Sequence, residues 1–336
     1  MTVYLTGEPN EDVVKGSSSD EVIFLGYTSR DVRGLKLGAI KQIRDIVAAR
    51  DFLFCIAHRA KPTYVVLLAT NLPVISVRHN YGDFDRFSRR ILVNFFRKRL
   101  LILGVSDSVR DEIRSHLPKW PRHQIETLYN RIDVELTQSE FFSKEDARSI
   151  LDLPENAWVV GNVGRLHHDK DQATLLRGFQ KALPELPSNS LLVIMGSGPL
   201  ETQLKQLANE LDIQSSVIFT GNVPNAKKYF KAFDVFALTS DHEPFGMVLL
   251  EAMAAGLPLV CSDCGGGAEV VARIGQLFPL GNVSDLASCL IFQYQNNIDF
   301  DSSVEIKKLL NCFSDYAAAE RFWLLAFVED FEHKMN

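Results

Sequence analysis

Ser240-Asp241-His242-Glu243-Pro244-Phe245-Gly246-Met247-Val248-Leu249-Leu250-Glu251-Ala252 is the stretch on which the reading of this chain turns. Pro244 breaks the chain directly after one carboxylate, and Gly246 opens an apolar run that reads as a helix. Glu243 is therefore predicted on a loop lip, and Glu251 about a turn and a half into the helix. A helix N-terminus offers amide donors to an anion, and carboxylates accept from hydroxyls. The pattern suits a ligand carrying both hydroxyls and phosphate, such as a nucleotide-sugar. As an ordinary helix residue, an acid between Leu250 and Ala252-Met253-Ala254 would be a costly burial, which favours a ligand-binding role for Glu251.

Outward from this stretch, the second half alternates short apolar runs with amphipathic ones, as βαβ units on a parallel sheet do. Strands are predicted at Ala157 to Val163, Ser190 to Met195, Val217 to Thr220, Asp234 to Leu238 and Leu259 to Ser262. Helices are predicted at Gln172 to Leu183 and from Gly246 to Ala255. Glycines follow the strands at their carboxyl ends, where open α/β sheets bind ligands. The first half is similar but less regular. Glu21 to Leu25, Phe52 to Ile56, Val74 to Val77 and Leu101 to Val105 read as strands, Leu37 to Ala49 as a helix, and Tyr64 to Ala69 as a buried strand. A linker is expected from Val134 to Ser143, a helix from Lys144 to Leu151, and an amphipathic tail helix from Asp315 to Glu332. The chain is thus an α/β protein of two Rossmann-like domains, 1–140 and 141–314, with a terminal helical segment, 315–336.

Several loops could carry chemistry. Gly164-Arg165-Leu166-His167-His168-Asp169-Lys170 follows a strand and presents two cations, a fork and a point charge, suited to a diphosphate. A solvated loop with incidental charges explains it about as well. Gly196-Ser197-Gly198-Pro199 lets backbone approach a ligand, although a tight turn needs the same glycines. Amides of Phe245, Gly246, Met247 and Val248 are candidates for phosphate or sugar. His79 and His58 end first-half strands, where a histidine can orient a sugar hydroxyl. Cys261 and Cys264 read as structural, because no second pair accompanies them.

Composition narrows the class. The 336 residues are 46% hydrophobic, with five cysteines, an odd number that makes no disulfide framework and points to a reducing compartment. The net charge of −6 divides into +4 over residues 1–150 and −10 over 151–336, which suggests two domains with different partners. The opening residues carry no basic segment followed by a long apolar one, so no export leader is expected. From Arg86 to Arg99, six cations interleave with bulky apolar residues. That pattern suits an anionic membrane surface or a solvated basic helix face, and no nucleic-acid reader motif accompanies it.

In this order and spacing, the motifs resemble those of the retaining glycosyltransferases of family 4. They are Gly164-Arg165-Leu166 with Lys170-Asp171, Met195-Gly196-Ser197-Gly198-Pro199-Leu200, Phe219-Thr220-Gly221, Ala232-Phe233-Asp234-Val235-Phe236, Glu243 through Glu251, and Gly265-Gly266. The resemblance implies a GT-B fold, two Rossmann-like domains facing a cleft, and the transfer of a hexose from a nucleotide-diphosphate sugar, a UDP-sugar in the first place, without cofactor or bound metal. It implies a glycan or glycolipid acceptor such as lipopolysaccharide core or polysaccharide, and a cytoplasmic site of action, at the inner face of the membrane. It assigns Arg165 and Lys170 to the diphosphate, Glu243 to the transferred sugar, Glu251 to the ribose, Val223 to the base, Gly246, Met247 and Val248 to phosphate and sugar, and His79 to the family's first-domain histidine. It also implies front-face attack and a last helix crossing back onto the first domain. Relative to the family the first βα unit looks shortened, because Thr2 to Thr6 resembles its second strand. A nucleotide-sugar epimerase of the same fold, or an inactive paralogue serving as a partner subunit, are the competing readings.

Overall fold

The computed structural model describes residues 1–296 and 300–328. They divide into two compact units, each built from parallel strands joined by helices.

The first unit holds residues 1–104, 109–127 and 325–328. Its strands are β1 (Thr2–Thr6), β2 (Val22–Tyr27), β3 (Cys55–His58), β4 (Val74–Arg78), β5 (Leu100–Gly104) and β6 (Ile125–Thr127). Among them run α1 (Glu11–Lys15), α2 (Leu37–Ala48), α3 (Ala60–Ala69), α4 (Phe87–Phe95) and α5 (Asp107–His116). β1 pairs with β2, and a separate sheet has the order β3-β4-β5-β6, all parallel. β4 and β5 are buried along their whole length, so both read as continuous apolar runs. Ala39, Ile40 and Ile43 of α2 meet Val65 and Ala69 of α3 in one apolar cluster, with Val3, Leu5 and Leu25 packed against it.

One expectation fails here. Tyr64 to Ala69 is the second half of α3, not a strand. An apolar run of this length fits either element, but parallel pairing of β3 with β4 requires a crossover, and this run supplies it. Within residues 86–99, α4 stops at Phe95, and Arg97–Arg99 form a 3-10 turn leading into β5.

The second unit holds residues 105–108 and 128–324. In chain order it contains α6 (Val134–Ser139), α7 (Lys144–Ile150), β7 (Val159–Val163), α8 (Gln172–Ala182), β8 (Leu191–Met195), α9 (Glu201–Glu210), β9 (Val217–Gly221), β10 (Val235–Leu238), α10 (Met247–Ala254), β11 (Leu259–Ser262), α11 (Gly265–Val271), β12 (Gln276–Phe278), α12 (Val283–Gln295), α13 (Ser303–Phe313) and α14 (Asp315–Trp323). α6 occupies most of the expected linker, started by Asp133, whose carboxylate accepts from the Leu136 amide at 2.9 Å. The expected tail helix stops at Trp323, and its residues 329–332 lie outside the described residues. Among the described residues, no helix is long and apolar enough to cross a membrane.

The six strands form one parallel sheet in the order β12-β11-β10-β7-β8-β9. The chain winds outward from β7 through β8 to β9, then returns to β10 on the other side of β7. That reversal makes the β7/β10 junction the topological switch point, where loops at the carboxyl ends diverge and leave a crevice. Leu175, Leu176 and Phe179 of α8 pack with Leu286, Ala287 and Leu290 of α12 beside Val160 and Ile194 in the core of this unit.

Candidate functional site

The two loops that leave the switch point carry the charges singled out in the sequence. After β7, Gly164 leads into Arg165 and the 3-10 turn His168–Lys170. After β10, Thr239 and Ser240 lead to Glu243. The loops are stitched together: the Asp241 amide donates to the Asp169 carbonyl at 3.1 Å, and the Thr239 hydroxyl donates to the Lys170 carbonyl at 2.9 Å.

Across this seam, Lys170 Nζ donates to Glu243 Oε2 at 2.7 Å, with the two side chains only 17% and 11% exposed. The Ser240 hydroxyl donates to the same oxygen at 3.4 Å, and the Gly266 amide donates to the Glu243 carbonyl at 2.8 Å. A half-enclosed ammonium–carboxylate pair is thus held from two strands and the start of α11. Arg165 is 72% exposed, and one guanidinium nitrogen lies 3.3 Å from Asp169.

Backbone lines the neighbouring strand ends. The Gly164 amide donates to the Met195 carbonyl at 2.9 Å, and the Gly196 amide to the Gly221 carbonyl at 2.8 Å. Gly196 has φ +144°, and a Cβ there would lie 1.9 Å from the Gly164 carbonyl oxygen, so only glycine allows this approach. At the start of α10, Gly246 has φ +92°, a left-handed cap that turns the chain from Glu243 into the helix.

Residues 143–298 match the family model described as glycosyl transferases group 1. Over 259 residues, the chain is 31% identical to the putative glycosyltransferase EpsF of Bacillus subtilis, covering 73% of this chain and 67% of that one. The chain belongs to the group 1 glycosyltransferases.

A second relative, the lipopolysaccharide core biosynthesis glycosyltransferase LpsD of Rhizobium meliloti, is 37% identical over 127 residues, 38% of this chain and 36% of that one. The fold is also that of HepE of Anabaena, solved in complex with UDP: TM-score 0.68 at 20% identity, over 94% of this chain and 85% of that one. The two units are therefore the two Rossmann-like domains of a GT-B glycosyltransferase. The chain spans about half the length of several curated relatives it matches.

In this group 1 glycosyltransferase, Glu251 lies five residues into α10, between Leu250 and Ala252, both fully buried. Among the described residues, its carboxylate makes no hydrogen bond or ion pair. Burial pushes its pKa up to about 7, against a small opposing pull from Lys227. Met247 is 37% exposed at the helix start, and Val248 is half-buried. The Phe245 ring is buried against Tyr129 and Phe313, so only its main chain is left for a ligand. Val223 is half-buried in the loop after β9.

His79 belongs to the first unit, at the end of β4. Its Nε2 lies 2.9 Å from His58 Nδ1, and the rings stack. Burial, then the neighbouring His58 and Arg59, lowers its pKa to about 4, so the ring is neutral near pH 7. Cys261 and Cys264 are free thiols, and Cys264 Sγ donates to the Ser240 carbonyl at 3.0 Å.

Sequence reasoning missed Asp169 and Ser240. Asp169 sits between Arg165 and His167, with His167 Nδ1 2.5 Å from its other carboxylate oxygen. Its four-residue spacing from Arg165 was the available signal. It also assigned Lys170 and Glu243 to different parts of a ligand, whereas the fold pairs them.

Proposed function

We propose that this group 1 glycosyltransferase moves a hexose from a nucleotide-diphosphate sugar, a UDP-sugar first of all, to a glycan or glycolipid acceptor. The observation that carries the reading is the Lys170–Glu243 pair at the β7/β10 switch point. There an ammonium and a carboxylate are held, half-enclosed, where an open α/β sheet binds a ligand. Lys170, with Arg165, stabilises the charge that develops on the departing nucleotide diphosphate, and their two cations serve where other transferases use a metal. Glu243 accepts from hydroxyls of the transferred sugar. Glu251, half-buried and without a hydrogen-bond or ion-pair partner among the described residues, accepts from the ribose diol, whose hydroxyls replace the lost hydration. Amides of Gly246, Met247 and Val248 meet the phosphates at the α10 N-terminus, and Val223 packs beside the base.

The UDP bound to HepE and the lipopolysaccharide role in the name of LpsD support a UDP donor and a surface-glycan acceptor. We assign the chemistry to the retaining class of family 4, the acceptor side with His79 to residues 1–140, and the donor side to 141–314. The protein would work at the cytoplasmic face of the membrane, through residues 86–99.

The test is calorimetry with UDP, GDP and ADP, followed by turnover of the matching sugar donors with product anomer analysis. Tight UDP binding that is lost in Lys170→Ala supports the reading. Equal, weak binding of all three nucleotides, unchanged in that variant, overturns it. Product formed from the donor without an acceptor, as a C2 or C4 epimer, would make the protein an epimerase.

A further inference from the structure

α4 presents an unusual face. Phe87, Ile91 and Phe95 recur every four residues along it and are 69%, 53% and 80% exposed. At 1.5 Å per residue they form an apolar stripe roughly 12 Å long. The opposite side of the helix is already engaged. Val93 is 1% exposed. Arg89 donates to the Asp83 carboxylate at 2.9 Å and to the Asp83 carbonyl at 2.8 Å. The stripe is therefore the side left over once the helix has packed.

Cations flank it. Arg86 and Lys98 are exposed, and the Arg90 guanidinium lies over the Phe87 ring, 5.7 Å from its centroid. Arg99 is turned inward to the carbonyls of Leu67 and Leu72, and Arg97 lies over Trp120. No acid occurs from position 86 to 99. Asp85, just before the helix, is held by His116 Nε2 at 3.1 Å.

We propose that α4 docks the first unit on an anionic lipid surface, with Phe87, Ile91 and Phe95 inserted among the acyl chains and Arg86, Arg90 and Lys98 on the headgroup phosphates. Large exposed apolar residues ringed by cations are the signature of an interfacial helix. Two copies meeting stripe to stripe would bring like charges together, whereas an anionic bilayer answers both the stripe and its rim. The proposal rests on the membrane part of the functional reading and is independent of the donor chemistry.

Flotation with phosphatidylcholine vesicles, with and without 30 mol% phosphatidylglycerol, tests it on the full chain. Binding is expected only to the anionic vesicles, and weaker in 0.5 M than in 0.1 M salt because the headgroup charge is screened. The triple variant Phe87→Ser, Ile91→Ser, Phe95→Ser should lower the partition at least roughly tenfold, as should Arg86→Gln, Arg90→Gln, Lys98→Gln. UDP binding should be unchanged in both, which separates this outcome from failure of the donor site. A Phe95→Trp variant gives a second readout: its added fluorescence should be quenched by dibrominated acyl chains. Equal binding to neutral vesicles, partition unchanged in the serine variant, or a wild-type dimer that the serine variant dissociates would each overturn the proposal.

Discussion

Lys170 and Glu243 stand 73 positions apart in sequence, yet the ammonium of one donates to the carboxylate of the other at 2.7 Å. Neither charge is fully hydrated, so each depends on the other. Removing one partner leaves the other half-buried and uncompensated, which costs about 3 kcal/mol in comparable pairs. Lys170→Ala should therefore lower unfolding stability by roughly that amount and, on the proposed role of this ammonium in stabilising leaving-group charge, reduce turnover by about 10²-fold or more. The double variant Lys170→Met, Glu243→Gln should recover most of the stability and none of the turnover. Urea unfolding beside a donor-consumption assay separates the two effects. Parallel recovery of activity would mean that the pair serves the fold alone.

Gly196 is a sharper case, because its constraint is backbone against backbone. A Cβ at this position would lie 1.9 Å from the Gly164 carbonyl oxygen, and φ is +144°. No side-chain motion relieves that clash, so the β7 and β8 loops must part. Gly196→Ala should destabilise by roughly 2–4 kcal/mol, the sum of backbone strain and lost loop packing. Gly221→Ala meets no atom within 4 Å and differs only by its left-handed φ of +69°. It should cost about 1 kcal/mol. Thermal unfolding of the two variants side by side checks the ordering.

The second half of this molecule was legible because its signals are local. A strand, a glycine and a cation fall within a few residues at Val163-Gly164-Arg165, and Pro244 and Gly246 announce the start of α10. Pairing was not legible. Nothing in the sequence says that β10 returns beside β7, and that return sets Lys170 against Glu243. The first unit was harder for the opposite reason: Tyr64 to Ala69 is apolar throughout, so periodicity is silent, and only the parallel register of β3 with β4 decides for a helix. The exposed stripe of α4 was hidden too, because six interleaved cations look alike until Arg89 and Arg99 are seen to turn inward.

His79 and Glu251 predict opposite pH slopes. The His79 pKa falls to about 4 on folding, so the unfolded chain binds more protons between that pH and the ordinary histidine value near 6.5. Its contribution to stability is present above that window and is lost as pH falls through it. The ring is partly solvated, which limits the effect to about 1–2 kcal/mol. His79→Asn should remove this contribution and leave the opposite slope of Glu251 uncovered, as measured by urea unfolding at pH 5 and pH 7.5.

Glu251 works the other way. Its pKa rises to about 7 in the folded protein, so from near pH 4.5 to 7 the folded state binds the extra proton. Its contribution should therefore decline as pH rises through that window, because a half-buried carboxylate with no partner among the described residues must ionise. The size is about 1–3 kcal/mol, and Glu251→Gln should abolish it. The two slopes overlap, so the wild type should vary little with pH while each single variant uncovers the slope of the other. A ribose diol would reverse the cost at position 251, since its hydroxyls supply the donors that the ionised carboxylate lacks. Uridine carries no group that titrates between pH 5.5 and 8, so its affinity reports on the protein alone. Binding by the wild type should tighten as pH rises through about 7. In Glu251→Gln it should be weaker at pH 8 and flat across the range. A wild-type affinity that ignores pH would remove the ribose from Glu251, whatever the stability curves show.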